Sequence, residues 1–351
     1  MKDEGGDITR ALNLSTRFPE RTPSPVGNAL RGVPMKRRYG GTPRRAFPSG
    51  GSLGTRQGYL APIAVVVCVG ASLLVSALGG DRPKPEGPAA FSTADYDRHI
   101  AELKKKLPGP GFTIIVERPF VVIGDEPTED VRRHCKETIR WAVDRLKAEY
   151  FPRDPLEILD IWLFQDATSY ERNCRTIFKQ APDTPYGFFS HEERALVMNI
   201  ATGGGTLVHE IVHPFMAANF PDCPAWFNEG LGSLYEQSSE RGGRIVGLTN
   251  WRLAGLQAAI RKHQVRPFKA LCGMTDREFY RDDRGTNYAQ ARYLCYYLQE
   301  AGLLRSFYRR FVANHARDPS GYRTLQEVLG REDMEAFQKE WEAFVLKLAF
   351  P

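Results

Sequence analysis

The chain of 351 residues is 42% hydrophobic and 26% charged, an ordinary globular composition that excludes a disulfide miniprotein, collagen, a coiled coil and a wholly disordered chain. The net charge of +6 comes from one end, because residues 1–58 contain eleven Lys or Arg and four Asp or Glu. The other 293 residues contain 37 basic and 38 acidic groups, so the body of the chain gives no electrostatic reason to expect a nucleic-acid partner.

Residues 1–58 contain six Pro and ten Gly and show no helical or strand period. Such a segment cannot bury enough apolar surface to offset the entropy lost on ordering. The composition therefore predicts a disordered basic tail.

Residues 59–80 form an uncharged, apolar run of 22 residues. Roughly 20 helical residues span the apolar core of a bilayer, so this run predicts one transmembrane helix. The basic cluster between Lys36 and Arg45 favours a cytoplasmic N-terminus, which would place the body of this single-pass protein in the periplasm or outside the cell. The small residues Val75, Ser76 and Ala77 leave a cleaved signal peptide as the alternative, with Met35 as a later start.

The body of the chain is expected to be α+β. Residues 81–110 are predicted as a linker followed by a helix at 92–106. Residues 111–205 are predicted as a small mixed-sheet part. Its strands are expected at 112–117, 120–124, 156–164, 186–189 and 195–200, and its helices at 128–150 and 166–180. Residues 206–351 are predicted to be nearly all helical, with helices at 206–219, 224–237, 250–263, 286–301, 302–315 and 331–349.

The most informative motif is an HExxH sequence between His209 and His213. Four residues rotate a helix by about 400°, so both imidazoles leave the same helix face and can reach one metal ion. Glu210 lies beside the first histidine and can accept a proton from a water at the metal. The flanking apolar residues predict a buried helix, in which two histidines need partners.

A third metal ligand is expected sixteen residues after His213. Glu229 is the acidic residue in an otherwise apolar stretch that begins a second helix near Pro224. A buried carboxylate costs several kcal/mol unless it is paired or bound to metal. Catalytic zinc usually has three protein ligands and one open position, so Zn²⁺ bound by His209, His213 and Glu229 is the predicted cofactor.

The HExxH motif, together with the sequence Trp-Phe-Asn-Glu-Gly-Leu at 226–231, resembles the gluzincin metallopeptidases of the thermolysin-like superfamily. The resemblance covers roughly residues 110–300 and is sharp only at 206–236. It implies a zincin-like fold, zinc, and Glu210 as the general base of peptide-bond hydrolysis. The Gly-x-Met-Glu-Asn motif of the related aminopeptidases is absent from the sequence, which favours an endopeptidase acting on a peptide or protein substrate.

The chain departs from the thermolysin pattern at three places. The gap between His213 and Glu229 is shorter. Ser233 stands four residues after Glu229, where thermolysin has an aspartate that orients a ligand histidine, so that support is in doubt. Pro214 removes a helical hydrogen bond to Glu210 and is expected to kink the helix.

Gluzincins often use a downstream Tyr or His to stabilise the oxyanion, and Tyr288 is the residue chosen here. Its alternative role is that of a packed aromatic residue, and His263 and His191 are weaker candidates. Cys223 lies near the motif in sequence but lacks a paired base, so it is expected to be a buried thiol or part of a disulfide.

Two other classes of function remain open. The chain could be a non-catalytic, membrane-anchored binding or structural module that retains the metallopeptidase fold. It could also be a metal hydrolase that acts on a bond other than a peptide bond.

Overall fold

The structure, a computed structural model, describes residues 91–350 except 183, 191 and 282–284. The predicted tail at 1–58 and the predicted transmembrane helix at 59–80 lie outside these residues. Within the described part, no helix combines the length and the apolar character that a membrane crossing requires.

The first half of the described chain is built on a mixed five-stranded sheet. Its strands are β1 (Thr113–Glu117), β2 (Phe120–Gly124), β3 (Leu159–Phe164), β4 (Gly187–Ser190) and β5 (Ala195–Asn199). The order is β1-β2-β3-β5-β4. The inner pairs β2–β3 and β3–β5 are parallel, and the outer pairs β1–β2 and β5–β4 are antiparallel. All five strands were predicted from the sequence, with bounds that differ by a few residues.

The sheet separates two apolar cores, because successive strand residues point to opposite faces. On β3, Ile161 and Leu163 belong to the larger core, whereas Trp162 and Phe164 belong to the smaller one. A strand that is buried on both faces is mostly apolar rather than alternating. Apart from Asp160, β3 consists of apolar residues, which is why it was recognisable from its composition.

Helices cover both faces of the sheet. The smaller core contains side chains of α1 (Thr93–Lys106) and α4 (Ala167–Ile177). The larger core contains side chains of a continuous helical segment made of α2 (Thr128–His134), a π-helical stretch (Cys135–Arg140) and α3 (Trp141–Glu149). Both α1 and α4 begin at side-chain caps, Ser92 with Asp95 and Asp166 with Ser169.

The second half is mostly helical, as expected. Its helices are α5 (Gly205–Asn219), α6 (Ala225–Leu234), α7 (Arg252–Arg261), α8 (Phe268–Cys272), α9 (Asp276–Arg281), α10 (Thr286–Glu300), α11 (Leu304–Asn314), α12 (Tyr322–Leu329) and α13 (Met334–Lys347). A two-stranded hairpin of β6 (Ser238–Arg241) and β7 (Arg244–Gly247) was not predicted. Its turn contains Gly242 and Gly243, both with positive φ, which is the residue type that such a turn requires.

Candidate metal centre

Helix α5 places the two histidines of the HExxH motif together. It begins directly after the sheet and buries its apolar residues in the larger core. The imidazole rings of His209 and His213 have centroids 4.9 Å apart and planes inclined by 74°. The helix continues through Pro214 to Asn219, so the missing backbone N–H does not end it.

Helix α6 packs against α5 and brings Glu229 to the same place. Oε2 of Glu229 lies 3.2 Å from Nε2 of His209 and 3.9 Å from Nε2 of His213. One candidate ligand atom from each of the three residues lies within 4.8 Å of the other two. The structure thus brings the three predicted ligands together.

The spacing of these atoms fits one metal ion. Ligands bound at about 2.1 Å around a tetrahedral ion are separated from one another by roughly 3.4 Å. The two distances to Oε2 of Glu229 lie on either side of this value. His209 and Glu229 are buried and His213 is partly buried, so the group could hold a metal ion within the protein.

The charges of the group also suit a cation. Burial acts to lower the pKa of His209, but the carboxylates of Glu229 and Glu236 outweigh burial and raise it to about 10. Burial acts to raise the pKa of Glu229, yet His209, His213 and the Tyr280 hydroxyl bring it down to about 2. Without a metal, a proton on His209 therefore balances the buried carboxylates. A divalent cation would replace that proton.

Glu236, which sequence reasoning missed, lies behind the first histidine. Its Oε1 is 3.3 Å from Nδ1 of His209, on the side of the ring opposite Glu229. Arg252 donates two hydrogen bonds to this carboxylate, of 2.7 and 3.0 Å, and Asn250 donates one of 3.0 Å. A carboxylate at the second nitrogen of a metal-ligating histidine fixes the orientation of the ring. Glu236 thus places a carboxylate beside this imidazole, three residues after Ser233.

The second histidine has its own partner. Nδ1 of His213 lies 2.9 Å from Oδ1 of Asn228, the residue before Glu229. The amide oxygen accepts a hydrogen bond from the N–H of Nδ1, which leaves Nε2 of His213 with a lone pair. Both imidazoles therefore present Nε2 to the centre.

One phenol contacts the centre, and a second phenol packs against the first. The hydroxyl of Tyr280, on α9, donates a hydrogen bond of 2.8 Å to Oε1 of Glu229. Burial, followed by the charge of Glu229, raises the pKa of Tyr280, so the phenol stays protonated and is the donor. The predicted residue Tyr288 lies in the first turn of α10, and its ring centroid is 6.4 Å from that of Tyr280.

Two glycines of α6 permit close packing around the ligands. A Cβ atom at Gly232 would lie 3.2 Å from Nε2 of His209. A Cβ atom at Gly230 would lie 3.0 Å from the carbonyl oxygen of Ala291 on α10. Both separations are shorter than ordinary van der Waals contact, so larger residues would displace either the imidazole or the helix.

The remaining candidates differ in their surroundings. Glu210 is partly exposed on α5, beside the first ligand. His263 is exposed after the end of α7, and His191 lies outside the described residues. The five cysteines of the described part are free, which contradicts a disulfide at Cys223. Burial raises the pKa of the Cys223 thiol well above its usual range, so it is not an activated nucleophile.

Glu236, Asn228 and Tyr280 were not predicted, and they differ in how clearly the sequence indicates them. Glu236 is an acidic residue in the apolar stretch after Glu229, so the argument that selected Glu229 also applies to it. Asn228 directly precedes a selected residue. The Tyr280 contact joins residues 51 positions apart through a short helix, and no local pattern indicates it.

The chain matches none of the protein-family models and none of the curated proteins with which it was compared.

Proposed function

We propose that the chain is a zinc-dependent endopeptidase with a zincin-like fold, similar to the gluzincins. The observation that supports this most directly is the convergence of ligand atoms from His209, His213 and Glu229 within 4.8 Å. Glu210 follows the first ligand on α5, where a general base is needed.

The residues have separate roles in the proposed reaction. A zinc ion in this site would polarise the peptide carbonyl and make a water more acidic. Glu210 accepts the proton of the attacking water and then transfers it to the leaving amine. Tyr288 donates a hydrogen bond to the oxyanion. Glu236 and Asn228 hold the two imidazoles in place.

The proposal is tested by incubating the purified full chain with casein, with and without a zinc chelator. We expect cleavage that the chelator abolishes and added zinc restores. Glu210→Gln should abolish cleavage while zinc content stays at the parental level, and Glu171→Gln, on the exposed surface of α4, serves as the control. Full activity of Glu210→Gln would contradict the mechanism.

The same experiment separates the two other classes of function. A chain that binds zinc but cleaves no protein substrate would be a binding module or a different hydrolase. A screen of ester, amide and glycoside substrates with the zinc-loaded protein would then distinguish these two.

The proposal includes the membrane anchor at residues 59–80, with the N-terminus in the cytoplasm and the catalytic domain on the far side. Retention of the full chain in membranes after alkaline extraction would support the anchor. Release of a shortened chain would instead favour a cleaved signal peptide.

A further inference from the structure

Glu229 uses its two carboxylate oxygens for different partners. Oε2 faces the Nε2 atoms of His209 and His213, at 3.2 and 3.9 Å. Oε1 accepts the hydrogen bond of 2.8 Å from the Tyr280 hydroxyl. One oxygen is thus directed to the metal centre, and the other is occupied by a phenol.

The fold fixes the position of Tyr280 relative to Glu229. Helix α9 contacts α6, and Oδ1 of Asp276 accepts a hydrogen bond of 3.3 Å from the backbone N–H of Ala225 at the start of α6. The ring of Tyr280 packs against Phe279 and Tyr288, with centroids 5.6 and 6.4 Å away. Tyr280 is exposed at the surface, but these two aromatic neighbours restrict the position of its ring.

The hydrogen bond matters because a carboxylate can bind a metal with one oxygen or with two. A second bound oxygen would occupy the position that a catalytic zinc site keeps open for water. A hydrogen bond to Oε1 of an ionised carboxylate stabilises the negative charge on that oxygen. Oε2 is then the oxygen that remains available to the centre.

We propose that Tyr280 is a positioning residue that keeps Glu229 a one-oxygen ligand and so preserves the open coordination position. The proposal rests on the proposed function, because it requires a metal at this centre. Tyr280 acts through Glu229 and needs no contact with the substrate. Its side chain is 48% exposed, so removal of the hydroxyl should leave folding intact.

The test compares the full chain with Tyr280→Phe and with Tyr297→Phe as the matched control. Tyr297 also donates its phenol to a carboxylate, that of Glu340 at 3.3 Å, but on the exposed surface between α10 and α13. Zinc affinity is measured by competition with a chromophoric chelator. Coordination is followed by the visible absorption of the Co²⁺-loaded proteins, which is strong at four-coordinate sites and weak at sites of higher coordination number. Circular dichroism verifies that each variant is folded.

We expect Tyr280→Phe to bind zinc at least about tenfold more weakly, since loss of a partner of a metal ligand typically costs this much. Its Co²⁺ absorption should lose intensity, while Tyr297→Phe matches the parent in both measurements. A Co²⁺ spectrum of Tyr280→Phe identical to that of the parent would overturn the proposal, whatever its zinc affinity.

Failure of the proposed function gives a different result. A parent that binds metal with the expected spectra but cleaves no peptide would contradict the peptidase alone. A parent that binds no metal would overturn both proposals.

Discussion

Nδ1 of His213 lies 2.9 Å from Oδ1 of Asn228, so the helix that presents Glu229 also orients an imidazole of the neighbouring helix. Adjacent residues of α6 thus have complementary tasks. Asn228 fixes the ring that points Nε2 at the centre, and Glu229 places its own oxygen 3.9 Å from that nitrogen. Metal binding at this centre should therefore depend on the packing of α5 against α6 as well as on the three ligands.

Asn228→Ala removes the acceptor at Nδ1 of His213 and leaves the ring free to rotate. We expect zinc affinity to fall by about 10- to 100-fold, the usual effect of losing such a partner. Asn228→Asp keeps an acceptor oxygen and should lose much less. Chelator competition with both variants provides the measurement, and equal affinities for the two would contradict the role of the acceptor.

Glu236→Gln should destabilise the metal-free protein by about 3 kcal/mol. The change removes the carboxylate from a partly buried ion pair with Arg252, which is more costly than loss of an exposed pair. Urea unfolding measures the effect, and a cycle with Arg252→Gln tests whether the two changes are non-additive. A loss below about 1 kcal/mol would class this pair with exposed salt bridges.

The metal-free protein should become less stable as the pH rises from about 6.5 to about 8.5. The pKa of His209 is about 10 in the folded protein and about 6.5 in an unfolded chain. In this pH range the native state retains a proton that the unfolded state releases, so the free energy of unfolding falls with rising pH. Thermal melts after chelation, compared with those of His209→Gln, give the measurement. A parent that melts independently of pH would show that the imidazole is uncharged.

Substitution of the two α6 glycines should affect different properties, stability at one position and zinc affinity at the other. At Gly230 a methyl group would meet the backbone of α10, and we expect Gly230→Ala to cost about 1–3 kcal/mol of stability. At Gly232 the methyl group would press on His209, so Gly232→Ala should mainly lower zinc affinity. Gly255→Ala is the control, because nothing lies near its added Cβ on α7, and this change should stabilise the protein by up to about 1 kcal/mol. Unfolding and chelator-competition measurements on all three variants separate these effects.

The features that could be predicted from the sequence are those that depend on the pattern of residues close together in the chain. The spacing of His209 and His213 fixes their common helix face, and the apolar surroundings of Glu229 mark it as buried. The strands of the sheet were recognisable because they are short and rich in apolar, β-branched and aromatic residues. The partners of the ligands were not predictable in the same way. Tyr280 reaches Glu229 only after α9 has packed against α6, and Arg252 reaches Glu236 only after the hairpin of β6 and β7 has turned the chain back.

Tyr288→Phe tests the predicted oxyanion donor. The structure places Tyr288 against Tyr280 and puts the guanidinium of Arg252 5.3 Å from its ring centre. If Tyr288 donates to the oxyanion only in the transition state, removal of its hydroxyl should lower kcat by roughly 10²–10³-fold and leave KM and zinc content unchanged. The control is Tyr297→Phe, which should retain parental kinetics. If Tyr288→Phe keeps the parental kcat, Tyr288 is a packing residue.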